Sequence, residues 1–249
     1  MSCFSSENQY NGFYNPRQAE GECMFSMEAA GKTAFVYPAA QGSRPVIYLN
    51  SHTSDAQPLL CAMRNCACGD CTLVVLQGVS WNRELTPSPC PPIVRGGEPF
   101  GGGAKIYLQQ LTEIIIPAVE KALFAPVAKR GIVGYSLAGL FAIYALFYSD
   151  CFSFGGSVSG SLWYPGFVEA LCTCPPAHLP QTVYFSLGRQ EEKTRNIHMR
   201  PVRQRTEALV SYLAEKGVQT VFALNDGNHF YEPEKRLAAC IQWLLRQME

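Results

Sequence analysis

The chain has 249 residues, 47% hydrophobic and 16% charged, the makeup of a globular protein with a sizeable buried core rather than a disordered one. Lys plus Arg and Asp plus Glu number 20 each, so no basic field points to nucleic acid or to an anionic membrane surface. Residues 1–10 lack a cationic start followed by an apolar stretch, and the longest apolar run, 137–148, is too short to span a bilayer; a cytoplasmic protein with no membrane partner is the expectation.

Residues 1–20 read as an N-terminal extension. Residues 23–28 and 34–37 are expected to pair antiparallel around Gly31-Lys32, with further strands at 45–49 and 72–77. Just before the fourth strand, Cys66-Ala67-Cys68-Gly69-Asp70-Cys71, with Cys61 nearby, invites a zinc reading. Structural zinc sites need a second paired knuckle and none with suitable spacing is present. The segment therefore reads as a cysteine-rich loop, and neither a metal nor a cofactor is expected. The 11 cysteines, an odd count without a secretory signal, are expected as reduced thiols.

Residues 81–103 are rich in Pro and Gly, carry aromatics and include Gly101-Gly102-Gly103. They read as a long loop without secondary structure, placed over a cleft at the carboxyl edge of the sheet. Residues 106–123 have helical periodicity, interrupted near Pro117. The strand and helix flanking Ser136 follow, then strands at 154–158, 181–187 and 219–224. An amphipathic helix at 202–216 lies between the last two strands, and a helix at 234–246 closes the chain. Eight strands alternating with helices imply an α/β fold: a single domain with a mostly parallel eight-stranded sheet and helices on both faces.

Within that pattern Gly134-Tyr135-Ser136-Leu137-Ala138-Gly139 stands out. A short β-branched strand runs through it into a long apolar helix, the arrangement of a nucleophile elbow. Small residues at 134, 138 and 139 let strand and helix backbones approach closely while the serine takes up strained φ/ψ. The serine hydroxyl then stands at the positive end of a helix, beside a main-chain N–H suited to an oxyanion. Hydrolysis of an ester or related acyl bond is the chemistry this favours.

A serine needs a base. Of His52, His178, His198 and His229, the first precedes the serine, and His178 sits in a loop well before the expected position. His229, in Asn225-Asp226-Gly227-Asn228-His229-Phe230, falls between the last strand and the last helix, where the base of such a site belongs; His198 is the alternative. The orienting acid should follow the seventh strand. Glu191, three residues past the turn at Gly188, is the candidate, with Glu192 in reserve, and Asp226 reads as a turn-former. For the oxyanion, the N–H groups of Leu137 and Ser51 are expected as donors. Trp163 and Tyr164 are candidates for lining a pocket, and Arg83 and Arg95 read equally as anion contacts or as solvated charge.

The elbow, together with Ser157-Val-Ser-Gly-Ser-Leu-Trp-Tyr164, Trp81-Asn-Arg-Glu-Leu-Thr-Pro87, Gly96-Gly-Glu-Pro-Phe-Gly-Gly-Gly103 and Ser186-Leu-Gly-Arg-Gln-Glu-Glu-Lys-Thr-Arg-Asn196, resembles an esterase family of α/β-hydrolases. That family holds the esterase D-like enzymes and the enterochelin-type siderophore esterases. The resemblance covers roughly residues 20–249 and implies an α/β-hydrolase fold. It also implies carboxylic ester hydrolysis through an acyl-enzyme, with Ser136, Glu191 and His229 at the motif positions and a small-molecule ester as partner. Two departures are Ala138, where glycine is common, and the cysteine cluster. The alternatives are a thioesterase or peptidase with the same machinery, or a non-catalytic binding protein that keeps the elbow.

Overall fold

A computed structural model describes residues 25–40, 42–53, 55–174 and 178–248. The expected 1–20 extension and the start of the first strand lie outside these. The main sheet has eight strands, and alternating side chains feed two different cores. The strands are β1 (Phe25–Ala29), β2 (Lys32–Tyr37), β3 (Val46–Asn50), β4 (Thr72–Gln77), β7 (Arg130–Tyr135), β8 (Phe154–Val158), β9 (Thr182–Gly188) and β10 (Gln219–Asn225). A small ladder of β5 (Pro89–Cys90) and β6 (Phe100–Gly101) stands apart. In the main sheet the order is β1-β2-β4-β3-β7-β8-β9-β10. The β1–β2 and β2–β4 pairs are antiparallel and every other pair is parallel.

Successive residues of a strand point to opposite faces, so a strand buried on both reads as continuously apolar. In β3, Tyr48 enters one core while Ile47 and Leu49 enter the other; in β4, Val74 and Leu76 oppose Leu73 and Val75. Helices α1 (Gln57–Asn65) and α8 (Pro233–Arg246) cover the second face. The first face is covered by α3 (Ala104–Gln110), α4 (Ile116–Ala122), α5 (Leu137–Tyr148), α6 (Phe167–Thr173) and α7 (Val202–Glu215). Every residue of α5 from Leu137 to Phe147 is buried, as expected of a helix apolar all round. Its N-terminus is therefore held rigidly against the sheet.

Two expectations need correcting. The helix near Pro117 is not broken. A widened π turn over Leu111–Ile115 joins α3 to α4, the Ile116 N–H donating to the Leu111 carbonyl, and Pro117 follows within the first turn of α4. Nor is the 81–103 segment without structure. It contains the short helix α2 (Trp81–Glu84) and the β5–β6 ladder, with Pro89 opposite Gly101 and Cys90 opposite Phe100. Gly102 has φ +70, and a Cβ there would lie 2.5 Å from the Pro89 nitrogen, so the run of glycines lets the two ends of the excursion meet. Helices α1 and α6 had no counterpart in the sequence-based expectation.

Among the described residues no helix is long and apolar enough to cross a membrane. Nor do three or more His, Cys, Asp or Glu side chains gather there as a metal site. Cys61, Cys66, Cys68 and Cys71 are free thiols. Burial and the neighbouring Cys66 push the Cys68 thiol up to about 12.

Candidate active site

The site is assembled at the carboxyl ends of the parallel strands. Ser136 sits between β7 and α5 with φ 59 and ψ −122, a conformation that strains any residue other than glycine. Three main-chain bonds hold it there: its N–H donates to the Val158 carbonyl at 3.1 Å, and its carbonyl accepts from the Ser161 N–H at 3.0 Å and from the Leu140 N–H at 3.1 Å. Close approach explains the small neighbours. A Cβ on Gly134 would lie 2.1 Å from the Ala138 carbonyl oxygen. Gly134→Ala is therefore expected to destabilise the protein by roughly 3 kcal/mol. In thermal denaturation the midpoint should fall by about 8 °C.

His229 lies in the loop joining β10 to α8. Its Nε2 is 3.1 Å from Ser136 Oγ and its Nδ1 is 2.8 Å from Glu191 Oε2. Glu191 opens a single 3-10 turn, Glu191–Lys193, just beyond β9. Its other oxygen, Oε1, accepts from the Gly188 N–H at 2.6 Å, from Ser159 Oγ at 2.8 Å and from Arg236 Nη1 at 3.2 Å. Burial alone would push the Glu191 carboxyl up. The hydrogen bonds from His229, Gly188 and Ser159 and the pull of the imidazole outweigh it, and the group is held below its ordinary value.

The other candidates lie elsewhere. Glu192 pairs with Arg203 at 2.9 Å. His52 is stacked on Trp81, with ring centroids 3.5 Å apart, and His178 and His198 are exposed. Asp226 is exposed and faces Arg189 at 3.7 Å. Leu137 is the first residue of α5, so its N–H has no carbonyl to meet within the helix. Ser51 is a correction. Its N–H donates to the Leu76 carbonyl at 2.9 Å, extending the β3–β4 ladder by one residue, and cannot also serve an oxyanion.

A recess of about 640 Å³ opens on the His229–Glu191 side of the site. Trp163, Met199, Val202 and Phe230 supply apolar wall, and Lys193 and Asn228 supply polar groups. Tyr164 is not in it: the side chain is fully buried and its hydroxyl donates to the Ser88 carbonyl at 2.7 Å. No residue of the 81–103 segment lines this recess, but the segment adjoins its wall. Phe100 packs edge-on against Trp163, and Asn196 Nδ2 donates to the Ile93 carbonyl at 2.9 Å. Arg83 and Arg95 are exposed.

Three participants were not anticipated. Tyr135 donates its hydroxyl to the His229 carbonyl at 2.5 Å, and Ser159, at φ 47, offers its hydroxyl to Glu191. Arg236 reaches Glu191 and Ser159 from α8 while only 4% exposed. The available signal for Arg236 was its register. It falls on the buried stripe of α8 with Leu237, Cys240, Ile241 and Leu244, an unusual place for a cation.

The sheet order and the strand-serine-helix turn are those of α/β-hydrolases, and the chain has that fold. No family model matches the sequence. The uncharacterized protein YbbA of Bacillus subtilis (strain 168) is 25% identical over 220 residues, 84% of this chain and 88% of that protein. Among solved structures, siderophore hydrolase EstA from Aspergillus nidulans superposes with a TM-score of 0.67 at 21% identity, over 88% of this chain and 91% of EstA. An IroE-like serine hydrolase from Shewanella oneidensis gives 0.70 at 16%, over 88% and 77%. The enterobactin esterase FES from Shigella flexneri, solved with enterobactin, gives 0.69 at 15%, over 95% and 61%.

Proposed function

We propose that this chain is a serine hydrolase of carboxylic esters, acting through an acyl-enzyme. The observation that carries the reading is the unbroken chain of hydrogen bonds from Ser136 Oγ through the His229 ring to Glu191, anchored on a strained serine at a helix N-terminus. Ser136 Oγ attacks the ester carbonyl carbon as His229 Nε2 takes its proton. Glu191 keeps the proton of the neutral ring on Nδ1, leaving Nε2 free to accept, and offsets the charge of the imidazolium that forms. The N–H of Leu137 faces the oxyanion. His229 then gives its proton to the leaving alkoxide, and a water activated by the same nitrogen releases the acid.

Ester chemistry is supported by the named activities of proteins sharing this fold, a siderophore hydrolase, an enterobactin esterase and a ferulic acid esterase. We infer a small-molecule ester of the siderophore or small-acyl kind as substrate. The recess of about 640 Å³ beside His229 has the size of a small-molecule site, with aromatic and thioether wall for apolar atoms and Lys193 and Asn228 for polar ones. Incubation with a fluorophosphonate should modify Ser136 alone, read by peptide mass spectrometry, and block turnover of short p-nitrophenyl esters. A matched panel of ester, thioester and amide should rank the ester first. A chain that hydrolyses no ester and leaves Ser136 unmodified would sink the proposal.

A further inference from the structure

We propose that Arg236 is the positioning residue of this site, its buried guanidinium tying the Glu191 carboxylate to the loop that carries His229. The inference deepens the esterase reading and rests on it for its catalytic meaning.

The loop is held to an unusual degree. Five consecutive carbonyls each accept a hydrogen bond from another element. Asn225 O accepts from Arg189 N at 2.9 Å and Gly227 O from Gln190 N at 3.1 Å, both in the turn after β9. His229 O accepts from Tyr135 OH at 2.5 Å. The remaining two, Asp226 O at 2.6 Å and Asn228 O at 3.0 Å, accept from Arg236 Nη2. The other terminal nitrogen, Nη1, reaches Ser159 Oγ at 3.0 Å and Glu191 Oε1 at 3.2 Å. A single planar group thus fixes the acid and the backbone of the base together. Its remaining hydrogen bond goes to Tyr135 OH, 3.5 Å away, and among the described residues none goes to Ser136 or to the imidazole.

Helix packing does not account for this arginine. Burying a guanidinium costs several kcal/mol unless it is fully paired, and an aliphatic residue would suit the stripe of α8 better. Lysine would keep the charge but lacks the rigid fork needed to reach the carboxylate and two carbonyls at once. Arg236 also matters electrostatically. Glu191, Tyr135 and Tyr184 face it from the turn after β9, from β7 and from β9. Further out, Asp226 pairs with Arg189, Glu232 with Lys235, and Lys193 lines the recess. Removing Arg236 leaves Glu191 without its buried cation, so the proton shared by the Glu191–His229 pair should bind more tightly.

The test compares Arg236→Met and Arg236→Lys in the full chain, with folding checked by circular dichroism. Two quantities are read: kcat and KM on p-nitrophenyl acetate, and the ring resonances of His229 by NMR at fixed pH. Arg236→Met should lower kcat about 30-fold, leave KM within about threefold and displace the His229 ring resonances from their parent positions. Arg236→Lys should lower kcat about tenfold. Loss of thermal stability alone, with kcat within about threefold of the parent and the ring resonances unmoved, overturns the inference. Should Arg236→Met not fold, the lysine variant decides: kcat within about twofold of the parent overturns it. The NMR comparison needs no turnover, so it still reads the Arg236 link if full activity in Ser136→Ala has removed the esterase reading.

Discussion

Ser136→Ala is expected to lower kcat for short p-nitrophenyl esters on the order of 10^6-fold, with KM little changed. Alanine keeps the fold but removes the only atom that forms a bond to the acyl carbon. His229→Ala should cost a similar factor, and the double variant no more than either alone, because the hydroxyl and the ring act as one unit across 3.1 Å. What activity survives would come from the Leu137 N–H, an oxyanion donor worth about 3 kcal/mol of barrier. Turnover within about tenfold of the parent in Ser136→Ala would remove the assignment.

The strain at this residue sharpens the test. At φ 59 and ψ −122 a side chain is disfavoured by about 1–3 kcal/mol, and only glycine is at ease. Ser136→Gly should therefore be as inactive as Ser136→Ala and yet unfold at a higher temperature than the parent, by about 1 kcal/mol in stability. A serine placed for packing alone would not be kept in that conformation. Opposite signs in activity and stability from one substitution would tie the strain to the chemistry. Equal stability of the glycine and serine forms would mean that the turn stores nothing.

Much of this arrangement is legible in the chain because it follows from local rules. β4 spans 72–77 as expected, since a strand buried on both faces needs an unbroken apolar run and Leu73-Val74-Val75-Leu76 supplies one. The elbow is legible because close backbone approach demands small residues, and the His229 loop because it falls between the last strand and the last helix. What escaped depends on contacts distant in sequence. α1 buries only Leu59 and Met63, so its apolar pattern is faint. The β5–β6 ladder is two residues long and closes across nine others. Whether the Ser51 N–H is free depends on how far the β3–β4 ladder runs, which no side chain encodes. Arg236 is over forty residues from the Glu191 it contacts, and only its place in an apolar stripe marks it.

Glu191→Gln is the second large effect, expected to lower kcat about 10^4-fold, while Glu192→Gln stays within about twofold of the parent. The two glutamates are adjacent, so composition and loop context change equally; only geometry differs. Three donors surround Oε1 of Glu191, from Gly188, Ser159 and Arg236, and they would hold the carbonyl oxygen of a glutamine in the same place. The amide nitrogen would then take the place of Oε2, 2.8 Å from His229 Nδ1, and donate to it. That moves the imidazole proton to Nε2, facing Ser136, where the ring can no longer accept the hydroxyl proton. Glu192 loses only a solvent-screened pair with Arg203. The direction of the Glu191 shift adds a pH consequence. Because its folded value lies below its unfolded one, its contribution to stability is complete above the unfolded carboxylate range and is lost as pH falls through the folded value. Acid unfolding of the parent should therefore flatten in Glu191→Gln, while the neutral-pH fold, read by circular dichroism, stays intact. A glutamine variant with activity near the parent's would instead leave a serine–histidine pair working without its acid.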